Sequence, residues 1–242
     1  MIRLAIQLEG ALATSYTEAA RRVRGVVLVP GEAEAEALVS DQTATARGRP
    51  LLLVPDTGGE FAQVDGRGLV MPAAGWRFRP GIRAIHRRLA AGHLGAPGLL
   101  RIHRWGGQPL PLADIDLASW FFDADPRTSH VVSQSDTGYR QIHLGFQEGG
   151  MAVIDHAPLR GPASYESVSL IGSAGSASHD DHHNTNLRYD RNGCTGLTVG
   201  EGVTSQVALL RAFVEAITGE RPAEVTLRDL HTPREWVRAH LA

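Results

Sequence analysis

The chain has 242 residues, its 24 Lys-plus-Arg positions are all arginine, and against 26 Asp and Glu the formal charge is −2. The absence of lysine excludes Schiff-base, pyridoxal-phosphate and Walker A chemistry, and a near-neutral surface gives no basic field for nucleic acid or an anionic membrane. No run approaches the ~18 apolar residues of a membrane span, the opening MIRLAIQLEG lacks a signal peptide's regions, and a lone cysteine, Cys194, excludes an internal disulfide. A cytoplasmic protein is expected.

Residues 2 to 8 form a short apolar run that predicts a buried strand, followed by Leu12, Tyr16, Ala19 and Val23 at helical spacing. VVLVP at 26 to 30 reads as a strand, EAEAEALVS at 32 to 40 as a helix, and LLLV at 51 to 54 and GLVM at 68 to 71 as strands. This alternation predicts right-handed crossovers and a small parallel sheet covered on both faces. From about residue 80 the pattern changes. Pro80 suits a first helical position, Ile82, Ile85 and Leu89 make a stripe, and Gly92 or Gly95 ends it. A strand at 98 to 105, a short helix at 112 to 122 and a hairpin turning at Asp136 to Gly138 follow. Further strands are expected at 151 to 156, 164 to 171 and 185 to 190. Val203, Val207, Leu210, Val214 and Ile217 define a long helix closed by Gly219, and Thr232 to Glu235 reads as a capping box. The fold class expected is α/β plus α+β: a truncated Rossmann-like domain at 1–75, then at 76–242 a mostly antiparallel open sheet with helices on one face.

WRFRPGIRAIHRRLAAGHLGAPGLLRIHRW at 76 to 105, ADIDLASWFF at 113 to 122, IGSAGS at 171 to 176 and AITGERP at 216 to 222 occur in an order and spacing that resembles the Gfo/Idh/MocA family of sugar and polyol dehydrogenases. The resemblance implies a dinucleotide domain carrying G-x-G-x-x-G, with NAD or NADP as cofactor. The matching positions here are Leu8, Gly10 and Ala13, so Gly10 and Ala13 are the remaining cofactor-binding candidates. Leu8 puts a side chain into a turn that expects glycine, and Glu9 brings negative charge to the pyrophosphate's place. The ribose-binding acid is replaced by Pro30 and Gly31, with Glu32 one step beyond. Dinucleotide binding in the usual mode is therefore not expected.

The resemblance also implies a catalytic lysine and a D-x-x-x-H pair. No lysine exists, Pro55 is the only match in the lysine's loop, and the acid/base His and its Asp partner fall on Ala113 and Pro109. Neither replacement can shuttle a proton. Asp114 and Asp116 do match, and their plainest reading is first-turn acidity against the helix dipole. His103, His143 and His156 alternate with apolar residues on strands and are read as lining a polar sheet face; His103, His143 and Asp116 are the catalytic candidates. Arg101, Arg104 and Arg140 on the same strands suit an anionic or polyol ligand, or ion pairs. The run His179-Asp180-Asp181-His182-His183 offers donors for zinc, iron or manganese, with His179, Asp181 and His183 as the alternate residues that converge in a strand.

Three functions remain. The first is a degenerate relative without dehydrogenase activity, acting as a binding or partner subunit that pairs through its second sheet with its own copy or a lysine-bearing relative. The second is an active NAD(P)-dependent sugar or polyol oxidoreductase using His103 or His143. The third is a metal-assisted enzyme built on the histidine-rich run.

Overall fold

A computed structural model describes the chain except for residues 43–46, 56–60, 63–67, 107–109, 159–164, 181–184, 191–192, 199–201 and 242, with backbone alone for 185–190 and 193–198. It divides into two units, residues 1–79 with 202–236, and residues 80–201 with 237–242.

The first unit begins with β1 (Ile2–Gln7), whose Leu4 and Ala5 are buried, and α1 (Gly10–Arg21), which buries Tyr16, Ala19 and Ala20. β2 (Val26–Leu28), β3 (Ala37–Ser40), β4 (Leu51–Leu53) and β5 (Val70–Pro72) complete a five-stranded parallel sheet in the order β2-β1-β3-β4-β5. The helix expected at 32 to 40 does not form. Residues Glu32–Glu34 make one 3-10 turn, and Ala37–Ser40 is the central strand β3. Its Ala37, Leu38 and Val39 are wholly buried, and the free energy of burying both faces between β1 and β4 exceeds the small helical preference of an Ala-Glu run.

The second unit opens with α2 (Pro80–Ala90), which buries Ile82 and Ile85. β6 (Pro97–Trp105) and α3 (Pro111–Phe122) follow, then the meander β7 (Thr128–Gln134), β8 (Tyr139–Gly145) and β9 (Met151–Ala157), and finally β10 (Tyr165–Gly172) and β11 (Ser176–Asp180). These strands form a six-stranded sheet ordered β11-β10-β6-β9-β8-β7, antiparallel except for β6 with β9. β12 (Thr185–Asp190) and β13 (Gly193–Thr198) make a separate hairpin.

The chain then returns to the first unit. In α4 (Thr204–Thr218), Leu209, Leu210 and Phe213 join Tyr16 and Ala19 of α1 in one core with Val39, Leu52 and Met71 of the sheet. Gly219 closes this helix in the left-handed region, φ 74°, as its position predicts. α5 (His231–Leu241) begins one residue ahead of the expected Thr232 cap, and Glu235 pairs with His231 at 3.4 Å.

Candidate functional site

Strand alternation sorts the six-stranded sheet into two faces. Leu100, Ile102 and Arg104 of β6 stand beside Ala152, Ile154 and His156 of β9, then Leu144, Ile142 and Arg140 of β8, and on the other side Leu170, Val168 and Glu166 of β10. The apolar members of these rows are wholly buried. Arg101, His103 and Trp105 belong to the opposite face with Asp155, Gln141, His143 and Tyr165. The three histidines therefore part company. His103 and His143 are on the polar face, whereas His156 is on the covered one, a correction to the reading that grouped them.

On the covered face, α3 places Asp114 in its first turn, yet the carboxylate is wholly buried instead of facing water. Its Oδ1 accepts from Arg104 Nε at 2.6 Å, and its Oδ2 lies 2.8 Å from His156 Nε2. Arg104 also reaches Glu166 at 2.6 Å. Burial works against the arginine's charge, but the carboxylates of Asp114 and Glu166 outweigh it and raise the pKa. A carboxylate only accepts, so the ionised Asp114 requires the proton on His156 Nε2, and His156 Nδ1 has no hydrogen-bond partner. Asp116, a catalytic candidate, is likewise wholly buried. Asp114 thus keeps the expected place in the first turn of α3 and is in addition ion-paired in a buried layer beneath the helix. Ala113, at the expected acid/base position, is also buried, and Pro109 lies outside the described residues.

On the other face, Asp155 is 3% exposed and is the hub of a network. Tyr139 Oη donates to its Oδ1 at 2.9 Å, Gln141 Nε2 to the same oxygen at 2.5 Å, and Arg101 Nε to Oδ2 at 3.4 Å. His103 Nδ1 is 3.1 Å from Oδ2 without the alignment of a hydrogen bond. Burial would raise the pKa of Asp155, but these donors outweigh it and lower it. Burial, aided by Arg101, lowers that of His103. With the Gln141 amide nitrogen committed to Asp155, its Oε1 faces His143 Nε2 at 2.7 Å, so that nitrogen carries the proton. The structure thus brings His103 and His143 into one network with Asp155, a residue sequence reasoning passed over. The signal was its place between apolar residues of β9 on the face of His103.

The turn from β1 to α1 tests the dinucleotide. Gly10 has φ 59° and open space where a Cβ would stand, as a phosphate-binding turn needs. Its neighbours do not fit. Leu8 packs against the core of the unit, and Glu9 is the N-cap of α1, with its carboxylate side chain at the helix end that attracts anions. Glu32, one step beyond the position expected for the ribose-binding acid, accepts from Gln7 at 3.3 Å and pairs with Arg49. The Gln7 hydrogen bond leads the interactions that lower its pKa. A pyrophosphate would meet a carboxylate at the helix end, so the residues present do not fit a dinucleotide in the usual mode.

Of the metal candidates, His179 of β11 is on the covered face and its ring packs against Gly81 of α2, while Asp181 and His183 lie outside the described residues. No cluster of three or more metal-ligating side chains occurs among the described residues, and no described helix is long and apolar enough to cross a membrane.

No model of a known protein family matches the sequence, and no curated protein matches it. Solved structures do. Scyllo-inositol dehydrogenase from Lactobacillus casei superposes with a TM-score of 0.77 at 12% identity, over 99% of this chain and 94% of that one. Myo-inositol 2-dehydrogenase from Lactobacillus plantarum gives 0.76 at 13% identity, over 98% and 95%. The chain has the Gfo/Idh/MocA fold. An oxidoreductase from Agrobacterium radiobacter, solved with NAD+, L-tartaric acid and magnesium, shares that fold at 0.73 and 13% identity, over 98% and 94%. In this chain the Gfo/Idh/MocA fold is built without lysine and with Leu8 and Glu9 in the turn after β1.

Proposed function

We propose that this chain has left hydride transfer and works as a binding subunit that pairs with a second copy through the open face of its six-stranded sheet. The observation that carries the reading is the placement of apolar surface. Trp105, Val132, Met151 and Ile171, the large exposed hydrophobic side chains among the described residues of the second unit, are 40% to 51% exposed, and strand alternation puts all four on the face of Asp155. Exposed apolar side chains gathered on one face mark an interaction surface. Six strands ~4.8 Å apart and about seven residues long give ~650 Å² in projection. A textured surface of that extent is close to the ~800 Å² per partner of a stable complex.

The loss of hydride transfer rests on Leu8, Glu9, the engaged Glu32, the missing lysine and the buried Ala113. Sedimentation velocity on the full chain at micromolar concentration tests the pairing, with a dimer expected and a clean monomer overturning it. Fluorescence titration with NADH and NADPH tests the loss, with no saturable binding expected below ~1 mM. A second reading, an NAD(P)-dependent oxidoreductase with atypical residues, is favoured by the NAD+ held by the Agrobacterium structure of the same fold. Micromolar saturation in that titration would establish it.

A further inference from the structure

The face proposed for pairing carries an unusual number of imidazoles. His103 on β6, His143 on β8 and His130 on β7 all belong to it, and His130 is directly opposite His143 with ring centroids 6.3 Å apart. Among the described residues the other charged groups there are Arg101 of β6, Asp155 of β9 and Asp180 at the end of β11, and the phenols are Tyr139 of β8 and Tyr165 of β10. Burial, followed by the hydrogen bond to Asp155, raises the pKa of Tyr139.

Among the described residues of this face, one arginine against two aspartates gives a charge of −1 with the imidazoles neutral, and protonating all three imidazoles takes it to +2. In a twofold pair each patch meets its own copy, so the charge product across the interface grows about fourfold on acidification. The repulsion is also concentrated, because charging both His130 and His143 sets two cations side by side on neighbouring strands, an arrangement that destabilises a sheet.

We infer that the three imidazoles of this face make its self-association sensitive to pH, with the pair closed near neutrality and opened as the pH falls through the histidine range. The inference rests on the pairing proposed above and adds the control of that same surface. His130 and His143, whose rings face each other across neighbouring strands, are the two imidazoles where the repulsion is concentrated.

The test is sedimentation velocity of the full chain at about pH 7.5 and about pH 5.5, with and without ~0.5 M sodium chloride, circular dichroism confirming the fold at each pH. The dimer dissociation constant should rise ~10-fold or more at the lower pH and fall back with salt. In the double variant His130→Gln/His143→Gln the rise should shrink to about threefold or less. Should that variant fold poorly, His130→Gln alone, at an exposed position on the edge strand β7, should give an intermediate rise. An unchanged dissociation constant in the wild-type chain would overturn the switch while leaving the interface. A monomer at both pH values would overturn the interface itself. Undiminished pH dependence in the Gln variants would overturn the assignment to these imidazoles.

Discussion

His156 of β9 and Asp114 of α3 are 42 positions apart in the chain, and their Nε2 and Oδ2 atoms are 2.8 Å apart. This contact and the 2.6 Å bond from Arg104 fasten the first turn of α3 to the middle strands of the sheet. Asp114→Ala leaves a buried guanidinium with one carboxylate fewer, and should cost ~3–5 kcal/mol in urea unfolding. The combined change Arg104→Met/Asp114→Leu removes this pair but takes from Glu166 its guanidinium, and so should recover only part of that loss. Equal destabilisation by the single and double changes would show that shape, not charge pairing, governs this layer.

Asp155 gives the acid limb of the stability curve. Its folded pKa is depressed, so its contribution is complete above the unfolded aspartate value near ~3.9 and is lost as the pH falls through the lower folded value. Asp155→Asn should therefore be less stable than the wild type at neutral pH, with the difference narrowing below about pH 4. Thermal midpoints measured from about pH 7 to pH 2.5 check this, and a gap that stays constant throughout would rule out the depressed pKa.

Gly81, the second residue of α2, is close to the ring of His179. A Cβ there would stand 2.2 Å from Nδ1, 2.4 Å from Cγ and 2.6 Å from Cε1. A helical Gly→Ala change normally adds up to ~1 kcal/mol, but this one should lose ~1–3 kcal/mol because the whole ring must move. Gly81→Ala/His179→Ala should then be more stable than Gly81→Ala alone. Chemical denaturation of the two variants gives the comparison.

Trp105, 40% exposed beside Tyr165 at a centroid distance of 5.3 Å, is the largest apolar group on the open face. Trp105→Asp should weaken the dimer by ~10-fold or more, the cost typical of an aromatic anchor, while sparing the secondary structure. Light scattering after size exclusion would reveal the change, and an unaltered dimer would move the interface elsewhere.

Much of the second sheet could be read from alternation alone, because rows such as Ile142 and Leu144 need one buried face. The covered polar layer could have been anticipated too. In GLLRIHRW, Arg104 follows Leu100 and Ile102 on the same face and so needed a buried counter-charge, but the pairing with Asp114 and His156 depends on strand register, which periodicity in one segment does not contain. The stretch 32 to 40 misled for a different reason. Glu-Ala repeats favour a helix locally, while the fate of Ala37, Leu38 and Val39 was decided by β1 and β4, which lie far off in sequence.

The return of α4 to the first unit makes that unit discontinuous, with residues 80–201 placed within it. A ribosome adding ~5–20 residues per second takes on the order of ten seconds to make that stretch. During this time Val39, Leu52 and Met71 are already made, while Leu209, Leu210 and Phe213, which share their core, are not. The core whose strands are made first therefore closes only after the whole of that stretch and α4 have been added.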